Sequence, residues 1–228
     1  MKRFRLVAAC WMACTLAGCG SSSSNKADTL KPGVTVTSSG AATTTPAPSG
    51  PVSQARLKAA LLTVSDLPTG YAEEPQKPNS SKSYCAGHDP AANVPATTEA
   101  KIDFSQGTFG PFLTEAINVY AGKKAHDFMA EAKRTADACR SFESTDPTDG
   151  TKTTGSLSPL SFPKVGDETF AMRLTGSSGG FTIRGSAVFA RIGDDRIVSV
   201  VSAGLVAEMS PSDLERLTRL AVQRAATA

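Results

Sequence analysis

Between Leu157 and Ala203 apolar and polar residues alternate with the period of a β-strand, and this stretch limits the possible architecture more than any other part of the chain. Strands are predicted over residues 157–162, 168–174, 181–192 and 196–203. Gly176-Ser177-Ser178-Gly179-Gly180 and Gly193-Asp194-Asp195 fall between them as hairpin turns. Phe170, Met172 and Leu174 share one face of their strand, as Phe181, Ile183, Ala187 and Phe189 do on the next, which predicts a meander with one covered face. Two earlier runs, residues 100–106 and 112–120, flank Gly107-Thr108-Phe109-Gly110-Pro111 and read as a further hairpin. Leu113, Ile117 and Val119 line one side of it, with Glu115 among them. An acid at such a position is expected at a bulge or strand end, the alternative being the rim of a cleft.

Helical spacing supplies the cover for this sheet. Ser53 can cap a helix with Leu57, Ala60 and Leu61 on one side, after which Pro68 and Gly70 make a turn that delivers Tyr71 to the domain. Residues 72–98, with four prolines, read as a loop. Beyond Gly122 the residues Ala125, Phe128, Ala132, Thr135, Ala136, Cys139 and Phe142 recur mostly three and four apart, the stripe of an amphipathic helix. His126 falls on its flank as a solvated residue. Ser210-Pro211-Ser212-Asp213 opens a last helix lined by Leu214, Leu217, Leu220 and Ala221. The expected fold class is α+β, one domain over residues 53–228, with an antiparallel β-sheet of about five to six strands and helices packed on it.

Ahead of that domain the chain changes character. Lys2, Arg3 and Arg5 precede an apolar run too short to cross a bilayer as a helix, so residues 1–18 read as a signal peptide. The run ends in Leu16-Ala17-Gly18-Cys19, which resembles the lipobox of bacterial lipoproteins. That resemblance implies acylation of Cys19 and an anchor of two or three acyl chains. Residues 19–52 are rich in Ser, Thr, Pro and Gly and lack the apolar content to fold. They are expected to form a disordered tether with a reach of about 30 Å. Loss of the three leader cations leaves Lys and Arg balanced against Asp and Glu. A neutral mature chain offers no electrostatic case for nucleic acid as a partner.

The same cut simplifies the cysteines. Cys10 and Cys14 leave with the leader, Cys19 takes the lipid, and Cys85 and Cys139 remain. In an oxidising compartment two thiols predict one disulfide, and closing a loop of about 54 residues would stabilise the fold by roughly 4 kcal/mol. The alternative is a metal site built from Cys85, His88 and Cys139. No second ligand pair completes it, so no metal is assigned.

One catalytic pattern occurs: residues 176–180 satisfy Gly-x-Ser-x-Gly, the nucleophile elbow of serine hydrolases. The elbow requires a helix after the serine and a histidine downstream, whereas here a strand follows and both His88 and His126 precede it. Asp167 and Glu168 are conspicuous acids, read as a turn entering a strand, with rim carboxylates of a cleft as the alternative. No catalytic residue and no cofactor is assigned.

Several phrases carry a wider likeness: Leu62-Thr-Val-Ser-Asp-Leu-Pro68-Thr-Gly-Tyr71, the helix ending in Cys139 and followed by Phe142, and Phe162-Pro-Lys-Val-Gly-Asp-Glu168. With the late strands and terminal helix they resemble, over about residues 57–225, the PknH-like sensor domains of actinobacterial lipoproteins and receptor kinases. The resemblance implies an α+β domain with a cleft for an unknown ligand. Two departures stand out: those ectodomains usually carry two disulfides, and this chain shows neither a kinase domain nor a membrane-spanning helix. A second similarity, to PsbP-like lipoproteins, implies a binding or adaptor role.

The expected function is that of a lipid-anchored, non-catalytic ligand-binding or sensor/adaptor domain at the outer face of the cytoplasmic membrane. Its partners would be the membrane, through the anchor, and an unknown small molecule, glycan or envelope protein. A carrier of lipid or another apolar envelope molecule is the alternative, requiring a cavity lined by residues such as Phe170, Met172, Phe181 and Phe189. A serine hydrolase is the third reading.

Overall fold

One antiparallel sheet frames the domain in the computed structural model, which describes residues 52–75, 88–145 and 152–228. Among these residues it has eight strands: β1 (Ala72–Glu74), β2 (Thr98–Ser105), β3 (Phe112–Val119), β4 (Phe142–Thr145), β5 (Lys152–Pro159), β6 (Glu168–Ser178), β7 (Phe181–Ile192) and β8 (Arg196–Gly204). Their spatial order is β1-β2-β3-β8-β7-β6-β5-β4, antiparallel throughout. The expected α+β class and the single domain stand, but the strand number was too low. β1 and β4 are short edge strands, β1 within the stretch read as a loop and β4, like the start of β5, ahead of residue 157, where the predicted strands begin. Neither edge strand carries the apolar alternation by which a half-buried strand is recognised.

The late meander forms with shifted bounds: β6 runs on through Gly176–Ser178, expected as part of a turn, and β5 ends at Pro159. Gly179 and Gly180 both have positive φ, 56° and 86°, and close β6 onto β7 as the two-residue turn whose twist matches the strands. Within β7, Gly185 meets β8 so closely that a Cβ there would sit 2.5 Å from the Ser202 carbonyl oxygen.

Both faces of the sheet are covered, not one. On the first lie α1 (Gln54–Ala60) and α4 (Pro211–Ala226), capped by Ser53 accepting from the Arg56 amide and Ser210 accepting from the Asp213 amide. Leu57, Leu214, Leu217 and Ala221 pack there with Ile117, Val188, Val198 and Val200 in the larger core. On the second lies α3 (Lys124–Ala138), with the four-residue α2 (Pro90–Asn93) beside it. Phe128 meets Tyr120 and Phe189 with ring centroids 5.6 and 5.7 Å apart, and Phe189 stacks on Phe170 at 6.5 Å. A sheet buried on both sides explains why a charged residue on a central strand has no route to water.

Candidate functional site

Such a residue is Glu115. It pairs in regular register with Ile102 of β2 and Val200 of β8, so there is no bulge, and it is fully buried. The expected bulge or strand end is corrected by its place in the middle of β3, two strands in from the nearest edge. Its Oε2 accepts the Leu62 amide at 2.6 Å, whereas Oε1 has no hydrogen-bond partner among the described residues. Burial pushes the carboxyl up to about 7, against the opposing pull of the Leu62 amide and Arg224 and with a small push from Asp66.

The backbone that reaches Glu115 is delivered by a local device. Leu61 adopts extended dihedral angles and ends α1, which frees the next amide from the helical ladder. A 3-10 turn at Val64–Asp66 follows, in which Asp66 Oδ2 accepts from the Thr63 amide at 2.7 Å and from the Thr63 hydroxyl at 2.8 Å. Arg224 of α4 then clamps this segment: Nη1 donates to Asp66 Oδ2 at 2.7 Å and to the Leu61 carbonyl at 3.2 Å, and Nη2 donates to Asp66 Oδ1 at 2.8 Å. Arg216 adds a bond to the Asp66 carbonyl at 2.9 Å. Arg224 holds the Asp66 carboxyl below its ordinary value, outweighing partial burial. The turn ends by placing Tyr71 in the core, as expected, through Gly70 at φ 100°.

Two further buried polar atoms, Tyr71 Oη and Ser202 Oγ, also lack partners among the described residues. Tyr71 packs within the core beneath α1 and α4, and Ser202 is the register partner of Leu113, two residues from Glu115 on the same strand face. Desolvation raises the Tyr71 phenol to about 12, so it stays a neutral donor. No acid, base and nucleophile are hydrogen-bonded to one another in this cluster.

The residues singled out from the sequence disperse. Cys19 and Cys85 lie outside the described residues. Cys139 caps α3, fully buried, with its amide on the Thr135 carbonyl at 2.9 Å and its carbonyl taking the Leu157 amide at 3.1 Å. Ser177 and Ser178 end β6 in a strand, turn, strand setting rather than an elbow, and the Ser178 hydroxyl bonds to that of Thr153 at 2.8 Å. His126 is half exposed and bonds to Asp194 at 2.9 Å. Asp167 accepts the Gly193 amide at 2.7 Å, and Glu168 pairs with Lys133 at 2.6 Å and Arg191 at 3.2 Å. Both acids tie the β6 entry to its neighbours. Among the described residues no group of His, Cys, Asp and Glu is arranged for a metal.

Phe170, Met172 and Phe189 belong to the core under α3, whereas Phe181 is half exposed at the β6–β7 tip, so these four do not line one cavity. Phe181 instead faces Phe109 of the β2–β3 tip at 6.2 Å, and the Leu205 amide bonds the Phe109 carbonyl at 3.0 Å. With Phe112 and Val206 they make an exposed apolar end, which sequence reading missed because three separate turns compose it. It lies opposite the end where α1 begins, since Gln54 bonds the Glu99 carbonyl at the start of β2.

No family model and no curated protein matches the chain. Among solved structures it is similar to the extracellular domain of PknH from Mycobacterium tuberculosis, with a TM-score of 0.59 and 14% identity over 77% of this chain and 97% of that one. At that identity the likeness is one of fold.

Proposed function

We propose that this chain is a lipid-anchored, extracytoplasmic ligand-binding or sensor/adaptor domain of the bacterial cell envelope and performs no chemistry of its own. The observation that carries the reading is the fold held in common with an extracellular domain, spanning nearly all of that domain. Three features support it: the leader and Leu16-Ala17-Gly18-Cys19, the absence among the described residues of a helix long and apolar enough to cross a membrane, and the exposed apolar end. Exposed aromatics at paired turn tips suit contact with another molecule better than they suit a free surface. In this reading Cys19 carries the lipid, residues 19–52 form the tether, and a Cys85–Cys139 disulfide fastens the long connection before β2 to α3.

Fractionation of cells expressing the wild type and Cys19→Ala tests the anchor. The wild type is expected with membranes and the variant in the soluble or secreted fraction; a variant that stays quantitatively with membranes refutes the anchor. Mass spectrometry of molecules co-purified with the wild-type chain tests the binding role.

A further inference from the structure

Glu115 is an acid in the wrong place for stability alone. Its register partners are Ile102 and Val200, its neighbours on the same strand face are Leu113 and Ile117, and one of its oxygens is bonded to nothing among the described residues. An isosteric apolar residue would fill the site without desolvating a carboxyl. What the acid provides is the bond to the Leu62 amide, the first backbone group after α1 that touches the sheet through a side chain.

We propose that Glu115 is a proton-operated latch: in its neutral form it holds the 61–66 segment against the sheet, and its ionisation loosens that segment. The charged groups facing it are Arg224 from α4 and Asp66 from the 3-10 turn, while the flanking strands present only Ile102 and Val200. Arg224 cannot neutralise an ionised Glu115 cheaply, because both of its terminal nitrogens already hold Asp66. Ionisation therefore places a second carboxylate beside a cation that is already balanced. The Leu62 amide bonds a carboxylate more strongly than a neutral carboxyl, but burial outweighs that pull, so once the proton has passed to solvent the buried charge is stabilised chiefly by water that enters as the covering layer moves. That layer is the 61–66 segment itself. The segment continues from α1, so the latch couples the acidity of the surroundings to the first helix of the domain. Burial sets the titration near neutrality, about 7.

The inference stands on the buried network and does not rest on the lipid anchor or on a ligand. It is tested on the full chain, wild type against Glu115→Gln, which keeps an acceptor for Leu62 and cannot ionise. The sign follows from linkage: a carboxyl raised in the folded state binds a proton there that the unfolded chain releases, so stability falls as pH rises from the ordinary carboxylate range to the folded value. The wild-type folding constant is expected to fall roughly tenfold per pH unit between about pH 5 and 7, and the variant is expected to be flat across that window. Hydrogen exchange at the Leu62 to Asp66 amides, corrected for intrinsic rates, should show added opening above neutrality in the wild type only. The same pH response in both proteins overturns the latch. If Glu115→Gln fails to fold, carbon-detected NMR titration of the Glu115 carboxyl in the wild type decides: a midpoint near neutrality supports it, and one in the ordinary carboxylate range overturns it.

Discussion

Asp66 and Arg224 meet side by side across 158 residues of chain, two parallel hydrogen bonds joining the turn after the first helix to the last turn of the final one. The pair is partly buried, and the same guanidinium supports the Leu61 carbonyl. With the Arg216 bond to the Asp66 carbonyl and the Arg56 bond to the Thr227 carbonyl, it fastens α1 and the turn after it to α4.

Replacing Arg224 with Met keeps the aliphatic stem and removes both functions, so Asp66 and the Leu61 carbonyl lose their partner. The expected cost is about 2 kcal/mol in chemical denaturation. An acid signature accompanies it. The wild-type Asp66 carboxyl titrates below its ordinary 3.8, so its contribution is present above that value and lost as pH falls through the depressed folded one. Arg224→Met should therefore show a weaker acid limb than the wild type. Together with the latch at Glu115, the wild type should be most stable on the acid side of neutrality.

Cys139 is inaccessible at the C-cap of α3, and pairing with Cys85 would close a long loop. Thiol labelling of the non-reduced chain should modify neither cysteine, whereas Cys85→Ser should lower stability by roughly 4 kcal/mol, less if the bridge is strained. Ready labelling of both thiols in the native chain would contradict the pairing.

Two phenylalanines of one strand should differ sharply. Phe189 is buried between Phe128 and Phe170, so Phe189→Ala is expected to cost about 3 kcal/mol through the cavity it leaves. Phe181 is half exposed at the tip, and Phe181→Ala should change stability by less than about 0.5 kcal/mol. Thermal unfolding of both variants checks the contrast.

That contrast also marks where sequence patterning runs out. Alternation places Phe181 and Phe189 on the same side of β7, correctly, but it carries no information on how far α3 extends over that side. The residues that report only on local geometry, Ser53, Gly70, the Gly179-Gly180 pair and Ser210, were readable, because caps and tight turns depend on neighbours in the chain. Glu115 was recognisably on the apolar face of its strand. Its depth was not, since that depends on β8 arriving beside β3 and on α1 closing over both. The apolar end was invisible for the same reason: Phe109, Phe181 and Val206 are brought together by strand order. β1 and β4 escaped notice because edge strands are polar by necessity, an apolar exposed edge being a hazard for aggregation.

At the centre of the sheet β3 borders β8, yet α3 and four other strands separate them along the chain. A ribosome therefore delivers β3 long before the strand that closes its open edge. Until then the emerging protein is two part-sheets with bare hydrogen-bonding borders, and only the last strand and helix join them. A chain cut short before Arg196 would be left with two unmatched halves rather than a smaller domain. Residues 196–228, about a seventh of the sequence, thus decide between a folded product and material for proteases.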